Sequence, residues 1–296
     1  MERTTITENY EHFEHIMPVQ TMALHSGTFS YRYCKNPNPE KDVTLIFLAG
    51  GSGLADSVFM FASALTKKYS LLTFNYPSGY STNRSLADAL AELLTKLDVH
   101  NAYLVGQSYG GLFAQVMAKQ HPECVKGLIL SGTCSMYNDL TYHGIAEVVG
   151  LLNPQKLKKN LRVGGILPRG MLVFLMKAAF KKHAPDKKAA KELAEVIDRI
   201  KGSISKEYWR LMNTLLADLM NEYGTHKPED FRFLRNEVLL IFSDEDLTFS
   251  DELKDTLVRL MPDPTVVRDI AGGHLALFSS FDQYVREIST FLNERN

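Results

Sequence analysis

Three side-chain types in this 296-residue chain are spaced so that they could pass a proton and attack a carbonyl: a serine, an acid and a histidine, in that order. The serine is Ser108, in Gly106-Gln107-Ser108-Tyr109-Gly110-Gly111. An apolar run, Tyr103-Leu104-Val105, precedes it, and Leu112-Phe113-Ala114-Gln115-Val116-Met117-Ala118 follows. That order predicts a strand, a sharp turn with serine at its tip, and a helix, which is the setting of the Gly-x-Ser-x-Gly nucleophile elbow. The turn must be cramped so that the hydroxyl stands clear of both elements, and the glycines two positions away remove β-carbons that would collide with neighbouring backbone. The helix N-terminus favours negative charge on a reacting oxygen.

A serine hydroxyl needs a base, and the base needs an acid to orient it. In open α/β sheets functional groups gather beyond the carboxyl ends of the strands. After the apolar run 238–242 comes Ser243-Asp244-Glu245-Asp246, and after 266–270 comes Ala271-Gly272-Gly273-His274. Three acids and one histidine therefore follow late strands at the end of the sheet that would carry Ser108.

The elements that must position these residues are legible from periodicity. Alternating runs at 19–24 and 28–34, joined by His25-Ser26-Gly27, predict a β-hairpin. Residues 42–48 form a near-continuous apolar run, as a strand covered on both faces should, and end in Ala49-Gly50-Gly51-Ser52-Gly53. Helix 56–67, strand 71–74, helix 85–97, the elbow pair and strand 125–131 follow in alternation. This rhythm predicts a mainly parallel, doubly wound α/β sheet. From 136 to 230 the rhythm becomes helical, with helices near 142–152, 170–183, 187–201 and 206–223 and breaks at Pro154, Gly164-Gly165, Pro168, Pro185 and Gly202. Alternation then resumes, with strands at 238–242 and 265–270 and helices at 250–260 and 279–293. The expected organisation is a core of residues 1–135 and 231–296 interrupted by an all-helical insertion, 136–230.

With these elements in place, the chain resembles the α/β-hydrolase-fold superfamily, in the form of a serine hydrolase with a helical cap. The likeness runs from the first hairpin to the last helix. It rests on the elbow, on the 49–53 loop, similar to a His-Gly-Gly-Pro-Gly oxyanion loop, on Asn75-Tyr76-Pro77-Ser78-Gly79-Tyr80-Ser81, similar to an Asp-x-Pro-Gly-x-Gly-x-Ser stretch, and on Gly273-His274. Ala49 and Asn75 depart from the commonest residues of those motifs. The resemblance implies Ser108 as nucleophile, His274 as base, and backbone N–H groups of Tyr109 and Gly51 as oxyanion hole. It places the acid three residues after a small residue that ends the strand, which selects Asp246 counted from Ser243, with Asp244 as alternative. The implied activity is cleavage of a carboxylic ester, or of an amide or peptide, through an acyl-enzyme. The alternative is a non-hydrolytic member of the superfamily, a lyase or a small-molecule binding protein.

Bulk properties fit this reading. The formal net charge is −1, with 45% hydrophobic residues, which gives no general case for nucleic-acid binding. Three cysteines without a Cys-x-x-Cys pair indicate neither a disulfide framework nor zinc, and no metal or cofactor is expected. The polar start and the lack of a long apolar run predict no signal peptide and no membrane span, so a cytoplasmic location is expected. The insertion is basic, with 16 Lys+Arg against 11 Asp+Glu, while the remainder has 17 against 23. Its run 170–182 is apolar with a basic end, which suits packing on the core, a greasy acyl pocket or peripheral contact with anionic lipid. Seven of the other eight histidines read as solvated: His12 and His15 on a polar helix, His25 in the hairpin turn, His121 at a helix end, and His143, His183 and His226 in the insertion.

Overall fold

A computed structural model describes residues 5–37, 42–51, 55–153, 155, 157, 168–183, 187–203, 205–243 and 245–295. The breaks expected at Pro154, Gly164-Gly165 and Pro185 lie outside these residues, as do Ser52, Gly53 and Asp244.

Eight strands form one sheet in the order β1-β2-β4-β3-β5-β6-β7-β8. They are β1 Val19–Leu24, β2 Gly27–Cys34, β3 Thr44–Leu48, β4 Ser70–Thr73, β5 Ala102–Gln107, β6 Gly127–Ser131, β7 Val238–Ile241 and β8 Thr265–Val267. The β1–β2 hairpin is antiparallel and joins β4 antiparallel; every other neighbouring pair is parallel. Strands β3, β4, β6 and β7 are buried along their whole length, which is why they read as unbroken apolar runs rather than alternating ones. The chain has the alpha/beta fold expected, with helices on both faces of a mostly parallel sheet.

The covering helices are α1 Ile6–Ile16, α2 Phe59–Leu65, α3 Asn83–Lys96, α4 Tyr109–Gln120, α5 Tyr142–Leu151, α6 Arg169–His183, α7 Lys187–Ile200, α8 Lys206–Asp218, α9 Asp251–Leu260, α10 Ala276–Ser279 and α11 Phe281–Asn293. Between β6 and β7 the described residues form helices α5 to α8 and short 3-10 turns, without a strand. Among the described residues this segment has no core of its own. Val148, Leu211, Leu215 and Leu219 join the apolar cluster on one face of the sheet, and Val196 and Ile200 join the cluster on the other.

Helix α1 is more than the solvated element its polar composition suggests. Tyr10, Phe13 and Met17 are buried, and the helix packs against α2 and α7. Arg32 lies over the Phe13 ring at 4.9 Å, donates to the Met17 carbonyl at 2.7 Å and pairs with Asp56 at 3.0 Å. Removing either partner of that ion pair would strand a charge away from water. The apolar positions are three and four residues apart, a stripe that averaging over the first 18 residues conceals.

Candidate active site

The elbow forms as the residue types require. Ser108 stands between β5 and α4 with φ 54° and ψ −120°, a conformation L-residues rarely occupy and one that the surroundings must hold in place. Its N–H donates to the Ser131 carbonyl at 3.1 Å, and its carbonyl accepts from Gly111 and Leu112 N–H and from the Thr133 hydroxyl. The glycines have no room for a side chain. A β-carbon at Gly106 would lie 2.5 Å from the Gly110 carbonyl oxygen, and one at Gly110 would lie 2.0 Å from that of Leu48. Close approach of α4 to β3 is thus what glycine at 110 permits.

Ser108 Oγ lies 3.1 Å from His274 Nε2, and His274 Nδ1 lies 3.0 Å from Asp246 Oδ2. The second carboxylate oxygen accepts from Thr248 N–H at 2.8 Å. Asp246 is 4% exposed. Burial works to raise its pKa, but the hydrogen bond and charge of His274 and the donation from Thr248 outweigh burial and hold the carboxyl below its ordinary range. The three residues chosen from the sequence therefore meet, from loops after β5, β7 and β8. A carboxylate on one imidazole nitrogen and a hydroxyl on the other is an arrangement able to draw a proton from that hydroxyl. Asp244 lies outside the described residues.

Several neighbours were not singled out by the sequence. Gln107 Nε2 donates to the His274 carbonyl at 3.1 Å, and its Oε1 fills the space where a β-carbon of Gly50 would stand. Glu245 accepts from Gly272 N–H at 2.9 Å, and Ser243 Oγ accepts from Gly273 N–H at 3.0 Å. Gly272 and Gly273 have φ of 112° and 60°, so the histidine loop needs both glycines and is tied twice to the acid's loop. The buried Lys254 donates to the Asp246 carbonyl at 3.3 Å and pairs with Asp251. Gly132, with φ 47°, faces Asp246 and His274 at 3.6 Å from where its β-carbon would be. Only the glycine pair before His274 carried a signal in the sequence; the rest depend on which strands are neighbours.

On the oxyanion side, Tyr109 is the first residue of α4, where an N–H has no intrahelical acceptor. Gly51 is exposed at the end of β3's loop, and a β-carbon there would meet nothing within 4 Å. Asn75 Oδ1 accepts from Ala55 N–H at 3.0 Å.

Residues 43–281 match the family described as alpha/beta hydrolase fold. The chain belongs to this family. A poly(3-hydroxyalkanoate) depolymerase of Ectopseudomonas oleovorans is 34% identical over 105 residues, which are 33% of this chain and 37% of that one. The matched stretch thus spans little more than a third of that relative's length. Among solved structures, a hydrolase from Pseudomonas aeruginosa PA01 superposes with a TM-score of 0.69 at 15% identity, covering 93% of this chain and 98% of that one. A thermophilic esterase from Thermogutta terrifontis gives 0.67 at 15% identity with the same coverage. At such identity these likenesses describe the hydrolase fold.

Among the described residues no group of three or more His, Cys, Asp or Glu is placed to hold a metal, and no helix is long and apolar enough to cross a membrane. His12, His15, His25 and His143 are exposed, as expected. His121 is largely shielded between Asp88 and Glu123. The side chain of His183 lies outside the described set.

His226 is the exception. It is fully buried against Phe231, and neither ring nitrogen has a hydrogen-bond partner among the described residues. Burial pushes its pKa down to about 3, helped by the charge of Lys119. Below the ordinary histidine value of 6.5 the unfolded chain takes up a proton that the folded protein refuses. Stability is therefore expected to fall as the pH drops from 6.5 toward about 3. Urea midpoints at pH 7 and pH 5 measure this, and His226→Phe should flatten the dependence; equal slopes in both proteins would reject it.

Proposed function

We propose that this alpha/beta hydrolase cleaves carboxylic esters through Ser108, His274 and Asp246. The observation that carries the reading is the unbroken chain of contacts from Ser108 Oγ through the imidazole to the buried carboxylate. In the first half-reaction Oγ attacks the ester carbonyl carbon while His274 Nε2 takes its proton. Asp246 holds the ring in the tautomer whose Nε2 is free to accept, and stabilises the imidazolium that forms. The negative oxygen of the tetrahedral intermediate is held by the N–H groups of Tyr109 and Gly51. Collapse expels the alcohol, which receives the proton from His274 and leaves an acyl group on Ser108. In the second half-reaction water attacks that acyl carbon, with His274 again taking the proton and returning it to Oγ.

In this reading, residues 136–230 act as a cap on a core of 1–135 and 231–296. The substrate's acyl part is apolar, in keeping with Phe249, whose ring lies 5.7 Å from that of His274, and with Leu247, 96% exposed beside Asp246. Met171 and Phe174, exposed on the basic helix α6, supply a surface for peripheral lipid contact. Three free thiols held protonated by burial suit a cytoplasmic setting.

A fluorophosphonate probe followed by peptide mapping, together with a series of nitrophenyl esters of increasing acyl length, tests this. The expected result is labelling at Ser108 and turnover that improves beyond acetate. Labelling without turnover of any ester or amide would favour the non-hydrolytic alternative, and absence of labelling would remove Ser108 as nucleophile.

A further inference from the structure

Two tyrosines lie beneath the elbow and the glycine loop and take no part in proton transfer. Tyr76, just after β4, donates from its hydroxyl to the carbonyl of Ala49, the first residue of the glycine loop, at 2.7 Å. Tyr109 donates to Asn83 Oδ1 at 2.8 Å. Their rings meet edge to face, 5.2 Å between centroids at 87°, and Phe113 lies against both. Both side chains are buried, and burial holds both phenols well above the ordinary tyrosine range, so each hydroxyl keeps the proton it donates.

Each tyrosine is joined to the same helix, α8, at opposite ends. In the last turn of α8, Asn83 Nδ2 donates to the Leu215 carbonyl and to Asp218 Oδ2, both at 2.9 Å, while Asn83 N–H donates to the same carboxylate oxygen at 2.7 Å. Beside it, Arg84 holds the buried Glu222 with two hydrogen bonds of 2.6 and 3.2 Å. In the first turn of α8, Tyr208 packs against the apolar cluster that contains Tyr76, with its hydroxyl beside the Tyr76 backbone. Tyr208 and Asp218 are ten residues apart, about 15 Å of helix. One rigid rod thus grips both pieces of backbone that supply the oxyanion donors.

We propose that α8 sets the oxyanion hole. The helix supports the glycine loop through the packing of Tyr208 on Tyr76, whose hydroxyl holds Ala49, and holds the elbow through Asp218, Asn83 and the Tyr109 hydroxyl. The spacing of the Gly51 and Tyr109 N–H groups is therefore fixed by the helical segment as well as by the sheet. Tyr76, Asn83 and Asp218 are positioning residues. They touch no reacting atom, yet hydrogen-bond stabilisation of an oxyanion depends on donors held at 2.7–3.1 Å from where that oxygen will be. This inference rests on Ser108 being the nucleophile.

The test uses the full chain and the variants Tyr76→Phe, Asn83→Ala and Asp218→Asn. Titration with the fluorophosphonate gives the active fraction, which removes any loss through misfolding. A short nitrophenyl ester gives kcat and KM, and a trifluoromethyl ketone of the same acyl group reports affinity for a tetrahedral oxyanion. The expected result for Tyr76→Phe and Asn83→Ala is a kcat per titrated site about tenfold lower, because donors are displaced rather than lost. KM should stay within about twofold, and ketone affinity should weaken by the same factor as kcat/KM. Asp218→Asn should show the same split, more weakly. The pH profile should be unchanged, since His274 and Asp246 are untouched. Unchanged kcat per titrated site, or a rise in KM with ketone affinity intact, overturns the role of α8. If wild type neither labels nor turns over, it is the Ser108 reading that fails instead.

Discussion

Ser108→Ala is expected to abolish the proposed ester turnover and to leave the protein folded. The expected loss in kcat is about 10⁶, because without Oγ there is no acyl-enzyme and what remains is binding and the oxyanion hole acting on water. The fold should survive, since the bonds that hold the elbow are made by backbone. Ser108 N–H and carbonyl keep their partners at Ser131, Gly111, Leu112 and Thr133 whatever the side chain. Alanine has the same β-carbon as serine and meets the same strain at φ 54°. The hydroxyl's hydrogen bond to His274 Nε2, 3.1 Å long at a partly exposed ring, has a net worth of about 1 kcal/mol. Circular dichroism and the thermal midpoint should match wild type within a few degrees while turnover falls to background. Turnover retained in this variant would remove the covalent mechanism altogether.

How much of this was legible beforehand follows from where each signal resides. The elbow is local: strand, turn and helix are contiguous, and Gly106 and Gly110 announce a close approach wherever the partner strand lies. The parallel sheet was equally readable, because strands buried on both faces become runs such as Leu45-Ile46-Phe47-Leu48 that leave little else to choose. His274 was findable because two glycines with positive φ precede it. Asp246 was not separable from its two acidic neighbours by pattern alone, and its choice leaned on a family resemblance; burial, which distinguishes it, is a property of the assembled loop. The helices of α1 and of residues 136–230 were found, but not their buried members. Tyr10, Asn83 and His226 are all decided by partners at a distance in sequence: Asp56 for the first, Leu215 and Asp218 for the second, Phe231 and the surrounding apolar shell for the third. Composition cannot carry that information, because the same residue types on a different neighbour would be solvated.

Asp246→Asn is expected to lower kcat by about 10⁴ near neutral pH with little change in KM. The reason is tautomeric. Wild-type Asp246 offers an acceptor to His274 Nδ1, so the ring carries its proton there and leaves Nε2 bare toward Ser108. Thr248 N–H already occupies Oδ1 at 2.8 Å, so an asparagine would keep its carbonyl oxygen on Thr248 and turn its amide group toward the imidazole. That amide donates, Nδ1 must then accept, and the ring proton moves to Nε2, where it blocks transfer from the hydroxyl. The carboxylate also contributes to folding. Its folded pKa lies below the ordinary value of 3.8, so its stabilisation is complete above that pH and is lost as pH falls through the lower folded value. The variant should therefore lose acid sensitivity in that window while remaining folded at neutral pH. Asp244→Asn is the comparison that the sequence demands, and it should keep turnover within a few-fold of wild type. If Asp244→Asn were the variant to lose about four orders of magnitude in turnover and Asp246→Asn stayed active, the acid would have to be reassigned. The hydrogen bond to His274 would then be a resting-state contact without a part in proton transfer.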